Sequence, residues 1–180
     1  GSEMCIRDSN NTIYGTEYAE IPDAGDVPLV VDCSSHIGSR PMAMDRIALG
    51  YGGAQKNLGP SGLTFAFIRK DLLEREVPAS VPHFLRYKTH ADKDSMYNTP
   101  NTFGVLVLKL VLEWVRDQGG PAALAERNDA KAGKLYATLD ESSLFVPHAK
   151  AGSRSAMNVC WTLGGAADDE REPMTARFVR

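Results

Sequence analysis

The segment that most restricts the fold of this chain is a glycine-rich stretch at residues 52–62, with four glycines and one proline among eleven residues. Such a stretch cannot continue a helix or a strand. Apolar runs flank it at residues 46–51 (RIALGY) and 63–68 (LTFAFI), and a third lies at residues 27–31 (VPLVV). Short apolar runs of this kind are typical of buried parallel strands. The sequence therefore predicts a sheet with a turn-rich loop between two of its strands.

The rest of the chain alternates between irregular and helical patterns. A brief helical turn follows Asp71, and residues 77–100 form a proline-marked stretch long enough for a functional or interface-forming loop. Apolar residues at helical spacing predict two helices, at residues 102–118 and 121–139, and residues 157–163 predict a last strand. Strands interleaved with helices predict an α/β fold.

Composition excludes several classes of protein. Lys plus Arg number 20 and Asp plus Glu number 23 among 180 residues, so the net charge is -3 and bulk charge does not favour a nucleic-acid or anionic-membrane partner. The longest apolar stretch, residues 103–115, is interrupted by Lys109 and Glu113 and is shorter than the roughly 20 residues that span a bilayer. We therefore expect no nucleic-acid partner and no transmembrane helix.

The cysteines bear on the cellular location of the protein, and the two ends of the chain bear on whether it is a piece of a larger protein. Three cysteines at wide spacing, without a CxxC pair, suit a reducing compartment, so we expect a cytoplasmic location. Residues 1–9 (GSEMCIRDS) lack the apolar centre of a signal peptide, and their Gly-Ser start is typical of a non-native leader outside the fold. The chain stops at MTARFVR without a finished element after the last strand. This predicts an internal piece of a larger protein.

Two residues near the predicted sheet carry the candidate chemistry. Lys56 lies in the glycine-rich loop among small neighbours that let a flat ligand approach the backbone, as a Schiff-base lysine requires. Asp32 follows the 27–31 strand, at the edge where open α/β sheets bind ligands. Each also has an ordinary interpretation, as a solvated loop lysine and as a cap of the next turn. Pyridoxal phosphate chemistry needs both, a lysine for the aldehyde and a carboxylate for the pyridine nitrogen.

Three longer segments carry a family resemblance. They are residues 31–41 (VDCSSHIGSRP), 53–64 (GAQKNLGPSGLT) and 94–100 (DSMYNTP). In order and separation they resemble the phosphoserine aminotransferase family, from about residue 10 to residue 163. The resemblance implies the fold of pyridoxal 5'-phosphate-dependent transferases, with a large domain around a mainly parallel sheet and a smaller α/β domain. By analogy, residues 10–115 belong to the large domain, and residues 116–180 are connecting helices and the start of the small one.

The resemblance also implies roles for individual residues. Lys56 would form the aldimine with pyridoxal phosphate and move the proton between Cα and C4′, and Asp32 would pair with the pyridine nitrogen. Gln55 would help to hold the phosphate group. Thr12, in the segment 10–15 (NNTIYG), matches the threonine that hydrogen-bonds the phenolic oxygen of the ring.

Asn98 and Thr99 match a pair that in the family reaches across a dimer interface to the phosphate of the neighbouring subunit's cofactor. The resemblance therefore implies a homodimer in which the partner completes each site. The family's upstream and downstream portions are absent from this sequence, with the glycine turn that binds phosphate, the aromatic residue stacked on the ring and the arginine that grips the substrate carboxylate. Residues 155–161 (SAMNVCW) also depart from the family's usual Ser-Arg-Met-Asn-Val-Pro-Phe.

The activity that the resemblance implies is the interconversion of 3-phosphohydroxypyruvate plus glutamate with O-phosphoserine plus 2-oxoglutarate, in serine biosynthesis. Two alternatives stay open. One is another aminotransferase, or a cysteine desulfurase, of the same superfamily, and the other is an inactive structural or dimerising piece. His90, Asp92 and Asp94 alternate as metal ligands could, but the glycine and distal glutamate of a calcium loop are lacking, so no metal site is predicted.

Overall fold

The computed structural model describes residues 4–164 and residue 176. The strands are, in chain order, β1 Cys5–Asp8, β2 Asn10–Asn11, β3 Thr16–Glu17, β4 Leu29–Asp32, β5 Leu49–Gly53, β6 Thr64–Ile68, β7 Phe145–Pro147 and β8 Trp161–Leu163. The α-helices are α1 Lys70–Leu73, α2 Tyr87–Ala91, α3 Thr102–Asp117 and α4 Gly120–Glu141. Short 3-10 turns occur at Met44–Arg46, His83–Leu85 and Ala151–Ser153.

The main sheet has the strand order β1-β4-β5-β6. Strand β4 pairs in parallel with β1 and with β5, whereas β6 pairs with β5 in the antiparallel direction. The three apolar runs are thus confirmed as strands, but the prediction that residues 63–68 form a parallel strand is wrong. The connection from Gly53 to Thr64 is shorter than the crossover of about a dozen or more residues that a parallel pair needs, so the chain returns along β5.

Strand β4 is buried along its apolar length. Leu29, Val30 and Val31 keep only 3%, 4% and 2% of their surface exposed. A strand inside a parallel arrangement is covered on both faces, which explains why its sequence is a continuous apolar run rather than an alternating one. Leu29 and Val31 pack with Ile47 in the core of the sheet. This packing fixes the position at which the chain leaves the sheet after Asp32.

Strand β1 overturns part of the expectation for residues 1–9. Cys5 is in register with Leu29, and Asp8 is in register with Asp32, so the segment Cys5–Asp8 belongs to the sheet. The expectation that residues 1–9 lie outside the fold is therefore wrong for these four residues. The apolar pattern gave no signal because β1 is paired on one side only among the described strands, and its Ile6 is exposed. Charged residues are common on such edge strands.

The two predicted helices are confirmed as α3 and α4. The Asn101 side chain caps α3 by accepting the N–H of Gly104 at 3.0 Å. Gly119, between the helices, and Gly120, the first residue of α4, have φ values of 95° and 78°, a left-handed conformation that glycine adopts without strain. Among the residues that the structure describes, no helix is long and apolar enough to cross a membrane. The division of the chain near residue 115 stays a prediction.

Strands β7 and β8 form a small antiparallel pair after α4. The strand predicted at residues 157–163 is confirmed only for Trp161–Leu163. The reason is local, because the backbone N–H groups of Met157 and Asn158 donate to Ser155 Oγ at 3.0 and 2.9 Å. A serine that binds the backbone ahead of it favours a turn over a strand.

The contact between β5 and β6 can be tested at Gly50, which lies opposite Phe67. A Cβ atom added at Gly50 would lie 2.0 Å from Phe67 Cζ, so we expect Gly50→Ala to lower the free energy of unfolding by about 1–3 kcal/mol. Gly133 in α4 has open space at its Cβ position, and Gly133→Ala should raise it by about 0.5–1 kcal/mol. Urea denaturation measures both changes. Equal effects at the two glycines would contradict the close approach of Phe67.

Candidate active site

One serine ties the carboxyl ends of β4 and β5 together. Asp32, the last residue of β4, accepts hydrogen bonds at Oδ1 from the backbone N–H of Ser34 at 2.9 Å and from its hydroxyl at 2.7 Å. Ser34 Oγ in turn accepts the N–H of Gly53, the last residue of β5, at 3.1 Å. Asp32 therefore does cap the next turn, but with one oxygen. Its Oδ2 atom makes no hydrogen bond to the described residues and remains available to a ligand N–H.

The glycine-rich loop after β5 is organised around Ala54, which is fully buried. The carbonyl of Ala54 accepts the N–H groups of Leu58 and Gly59 at 2.9 and 2.8 Å, and its own N–H donates to Leu63 at 2.9 Å. These bonds close the predicted turn-rich loop on itself. Lys56 lies on the exposed side of this turn.

The Lys56 amine lies between two hydroxyl groups. Its Nζ atom donates to Thr12 Oγ1 at 2.7 Å and to Ser35 Oγ at 3.3 Å. The two hydroxyls also form a hydrogen bond with each other. Ser35 belongs to the turn that Asp32 caps, so the structure brings Thr12, Asp32 and Lys56, three of the residues singled out in the sequence, to one edge of the sheet. No carboxylate among the described residues forms an ion pair with Lys56.

Thr12 is positioned by the β2–β3 hairpin. Asn11 Oδ1 accepts the backbone N–H groups of Ile13 and Tyr14 at 3.1 and 2.9 Å, an arrangement that fixes the tight turn directly after Thr12. Gly15 continues the turn with a φ of 63°, and a Cβ atom there would lie 2.4 Å from the carbonyl oxygen of Asn158. The turn therefore needs glycine both for its backbone conformation and for its packing.

A segment near the end of the described chain holds this hairpin from outside. Ser155 is fully buried, and its backbone N–H donates to the carbonyl of Gly15 at 3.0 Å. The Asn10 side chain donates to Asn158 Oδ1 at 2.7 Å. Residues 155–158 thus support Thr12 indirectly. Sequence reasoning missed this contact because its partners lie more than a hundred residues apart.

A buried histidine, His36, lies in the turn that follows Asp32 and contacts Ser9. His36 keeps 1% of its surface exposed, and Ser9 Oγ lies 3.4 and 3.5 Å from its two ring nitrogens. Burial, together with the nearby charge of Arg40, lowers the pKa of His36 to about 4, and the charge of Asp32 opposes this change. The imidazole is therefore neutral at neutral pH. In the sequence, Ser34 and Ser35 stand out only as the turn that Asp32 could cap, and His36 only as part of the family segment 31–41, so none of them is predicted to belong to the site. Their one signal is three hydrogen-bonding side chains that follow the strand-ending aspartate closely.

The other residues singled out in the sequence are less closely tied to this edge. Gln55 is exposed beside Lys56. Asn98 and Thr99 are exposed, and neither makes a hydrogen bond to a described site residue. Their proposed contacts with a phosphate group, and with a partner subunit, therefore stay predictions.

The alternating residues His90, Asp92 and Asp94 are engaged in local structure. His90 Nε2 donates to the carbonyl of Phe84 at 2.8 Å, and Asp92 lies 3.6 Å from the amine of Lys88. Within the part of the chain that the structure describes, no group of three or more His, Cys, Asp and Glu side chains could hold a metal ion.

The sequence as a whole matches a family model. Residues 6–171 match the aminotransferase class-V family, and the chain belongs to that family. Among its relatives are the phosphoserine aminotransferase of Geobacillus kaustophilus, 56% identical over 156 residues, and that of Bacillus subtilis, 49% identical over 173 residues. These alignments cover 86% and 96% of this chain, but 43% and 46% of the two relatives. The chain thus spans less than half the length of the curated relatives it matches.

Solved structures agree with this assignment. The phosphoserine aminotransferase of Trichomonas vaginalis, a structure with bound pyridoxal phosphate, has a TM-score of 0.92 at 33% identity. The match covers 98% of this chain and 48% of the Trichomonas vaginalis chain. The enzyme of Bacillus circulans subsp. alkalophilus has a TM-score of 0.88 at 38% identity, over 97% and 48% of the two chains. The predicted α/β fold, as part of a pyridoxal phosphate-dependent transferase, is confirmed.

Burial of His36 makes stability depend on pH. In the unfolded chain histidine titrates near 6.5, and in the folded chain the pKa of His36 is about 4, so only the unfolded state takes up this proton between those values. The stabilisation is complete above pH 6.5 and is lost as the pH falls towards 4, by up to about 1.4 kcal/mol per pH unit. His36→Gln should flatten this part of the urea-derived stability profile, whereas the same change at the exposed His148 should not. An unchanged slope in His36→Gln would contradict a neutral buried imidazole.

Proposed function

We propose that this chain is part of a pyridoxal phosphate-dependent phosphoserine aminotransferase. Its reaction would interconvert 3-phosphohydroxypyruvate plus glutamate with O-phosphoserine plus 2-oxoglutarate, a step of serine biosynthesis. The observation that carries the proposal is the Lys56 amine, held by Thr12 and Ser35 at the sheet edge where Asp32 presents a free carboxylate oxygen. Membership of the aminotransferase class-V family and the names of the relatives support it.

The chemistry of these residues fits pyridoxal phosphate. When bound, the cofactor supplies an aldehyde that reacts with amines and a protonated ring that draws electrons away from the substrate Cα. The chain offers an exposed amine for the aldehyde at Lys56 and a carboxylate oxygen for the ring N–H at Asp32. The Thr12 hydroxyl, which contacts the amine at 2.7 Å, would meet the phenolic oxygen beside the aldehyde.

Lys56 and Asp32 would have separate roles in the proton transfer. Lys56 Nζ, once free, would take the proton from the substrate Cα as a general base and return it at C4′ as a general acid. Asp32 Oδ2 would keep the ring nitrogen protonated, while Oδ1 stays fixed by the two groups of Ser34. A carboxylate held on one oxygen keeps its orientation while the other oxygen serves the ligand.

Gln55, Asn98 and Thr99 would bind the phosphate group. Gln55 would act within its own subunit, and Asn98 and Thr99 would act on the cofactor of a partner subunit in a homodimer. Their exposure supports this proposal, because a residue that serves a neighbouring subunit has to lie on the surface of its own. The free state of all three cysteines supports a cytoplasmic location.

The alternative of a cysteine desulfurase finds no support in the thiols. A sulfur acceptor has to react as a thiolate. Burial, and the nearby charge of Asp32, raise the pKa of the fully buried Cys33 to about 12. Burial also raises the pKa of Cys160. Cys5 lies in strand β1 rather than in a loop.

Trapping of the cofactor tests the role of Lys56. The trap uses a chimera in which this chain replaces the 156 matching residues of the Geobacillus kaustophilus relative, so that the remaining segments are supplied. After incubation with pyridoxal phosphate and reduction with borohydride, peptide mass spectrometry should find one adduct, on Lys56. Lys56→Arg should abolish the adduct, and Lys70→Arg, an exposed control, should keep it. Adducts spread over several lysines, or none at Lys56, would refute the proposed function.

Subunit complementation tests the role of Asn98 and Thr99. In the same chimera, Lys56→Ala and the double variant Asn98→Ala, Thr99→Ala should each have little transaminase activity with O-phosphoserine and 2-oxoglutarate. A hybrid dimer holds one complete site, made of Lys56 from one subunit and the Asn98–Thr99 pair from its partner.

Refolding the two variants together in equal amounts should therefore restore about a quarter of the unmodified activity, since half of the dimers are hybrids with one complete site of two. Each variant refolded alone is the control. If the mixture stays as inactive as its components, the pair does not act across the interface.

A further inference from the structure

Among the residues that the structure describes, the hydroxyl of Ser35 has hydrogen-bond partners only within the site. Ser35 keeps 7% of its surface exposed, and among the described residues its Oγ atom contacts only Thr12 Oγ1 and Lys56 Nζ. Ser39, in the same turn, serves local structure, since its Oγ atom donates to the carbonyl of His36. A buried hydroxyl costs free energy unless it is hydrogen-bonded. Within the described part of the chain, the burial of Ser35 is thus compensated by site residues alone.

The direction of these hydrogen bonds follows from the number of protons. A serine or threonine hydroxyl has one O–H group and two acceptor lone pairs. The Lys56 amine donates to both hydroxyls, so only one of the two O–H groups fills the contact between them. If Thr12 donated to Ser35, the O–H of the buried Ser35 would lack an acceptor among the described residues. If Ser35 donates, the spare proton lies on Thr12, which is less buried and can offer it to a ligand.

We propose that Ser35 is a positioning residue for both Lys56 and Thr12, an inference that rests on the proposed aminotransferase function. Ser35 accepts a hydrogen bond from the Lys56 amine and donates its own proton to Thr12. The Thr12 proton is then directed at an oxygen of the ligand. An amine whose two N–H groups are held by Thr12 and Ser35 has one position left on nitrogen, and this position is where a proton is taken up or released.

Chemical labelling in the absence of cofactor tests the contact itself. The 180-residue chain, Ser35→Ala, Ser35→Thr and Ser61→Ala are treated with acetic anhydride at one pH, and acetylation of Lys56 is measured by peptide mass spectrometry relative to the exposed Lys70. Ser35→Ala should raise the labelling rate of Lys56 by about two- to tenfold, the range that corresponds to one lost hydrogen bond. Ser35→Thr keeps a hydroxyl, and Ser61→Ala alters an exposed serine of the same loop, so both should label at the unmodified rate.

Folding of the variants is monitored through the fully buried Cys33, which reacts with thiol reagents only when the chain unfolds. Should Ser35→Ala expose Cys33, Ser35→Cys takes its place, since a thiol is a weak hydrogen-bonding group, and the same rise is expected. A Lys56 labelling rate that is equal in the unmodified chain and in the folded variant overturns the proposal. So does strict additivity of Thr12→Ala and Ser35→Ala, because members of one hydrogen-bond network do not act independently.

The outcome is separable from that of the proposed function. Labelling does not involve pyridoxal phosphate, so the two tests can fail separately. If the chimera fails the borohydride trap but the chain shows the expected labelling pattern, the aminotransferase function is refuted and the contact between Ser35 and Lys56 is retained. The reverse result, a specific Lys56 adduct with labelling that ignores Ser35, refutes the role of Ser35 and leaves the aminotransferase in place.

Discussion

The hydroxyl group of Ser34 is the contact on which the geometry of the site depends. It donates to Asp32 Oδ1 and accepts from the N–H of Gly53, so a single side chain joins the ends of two parallel strands. Lys56 follows Gly53 closely in the chain, and Ser35 is the residue after Ser34. The joint therefore sets the position of the carboxylate relative to the amine. A shift of either strand by one residue would turn its side chains to the opposite face and break the joint.

Three titratable groups near the charge of Asp32 are neutral at neutral pH, those of Cys33, Tyr51 and His36. Burial, and then Asp32 itself, raise the pKa of Cys33 to about 12 and raise the pKa of Tyr51, so both groups keep their protons. His36 is neutral as well, since burial lowers its pKa to about 4. No described cation forms an ion pair with Asp32. Its negative charge is therefore directed at whatever binds beyond the strand end, which suits a protonated ring nitrogen.

The sequence predicts the strands and helices of this fold better than it predicts the direction of the strands and the contacts between elements. Continuous apolar runs indicate β4 and β5 because burial on two faces leaves few polar positions. A similar run indicates β6, although this edge strand is only partly buried, and helical spacing indicates α3 and α4. The direction of β6 depends on the length of the loop before it, and β1 is an edge strand with no apolar pattern to detect. In the same way, Lys56 and Asp32 stand out by their local surroundings. Ser35 does not, because its role arises only where the β2–β3 hairpin and the loop after β5 meet it.

The partners of Lys56 suit the proton transfer proposed for its amine. Lys88 in the same chain shows the opposite case, since its amine lies 2.9 Å from a carboxylate oxygen of Glu74 and this hydrogen bond raises the pKa of Lys88. A carboxylate partner holds an amine in its charged form, in which it is neither a nucleophile nor a base. Thr12 and Ser35 instead hold the nitrogen of Lys56 with neutral oxygens. Hydroxyl partners fix its position without placing a carboxylate beside it, and the negative charge of the site lies on Asp32 at the end of the neighbouring strand.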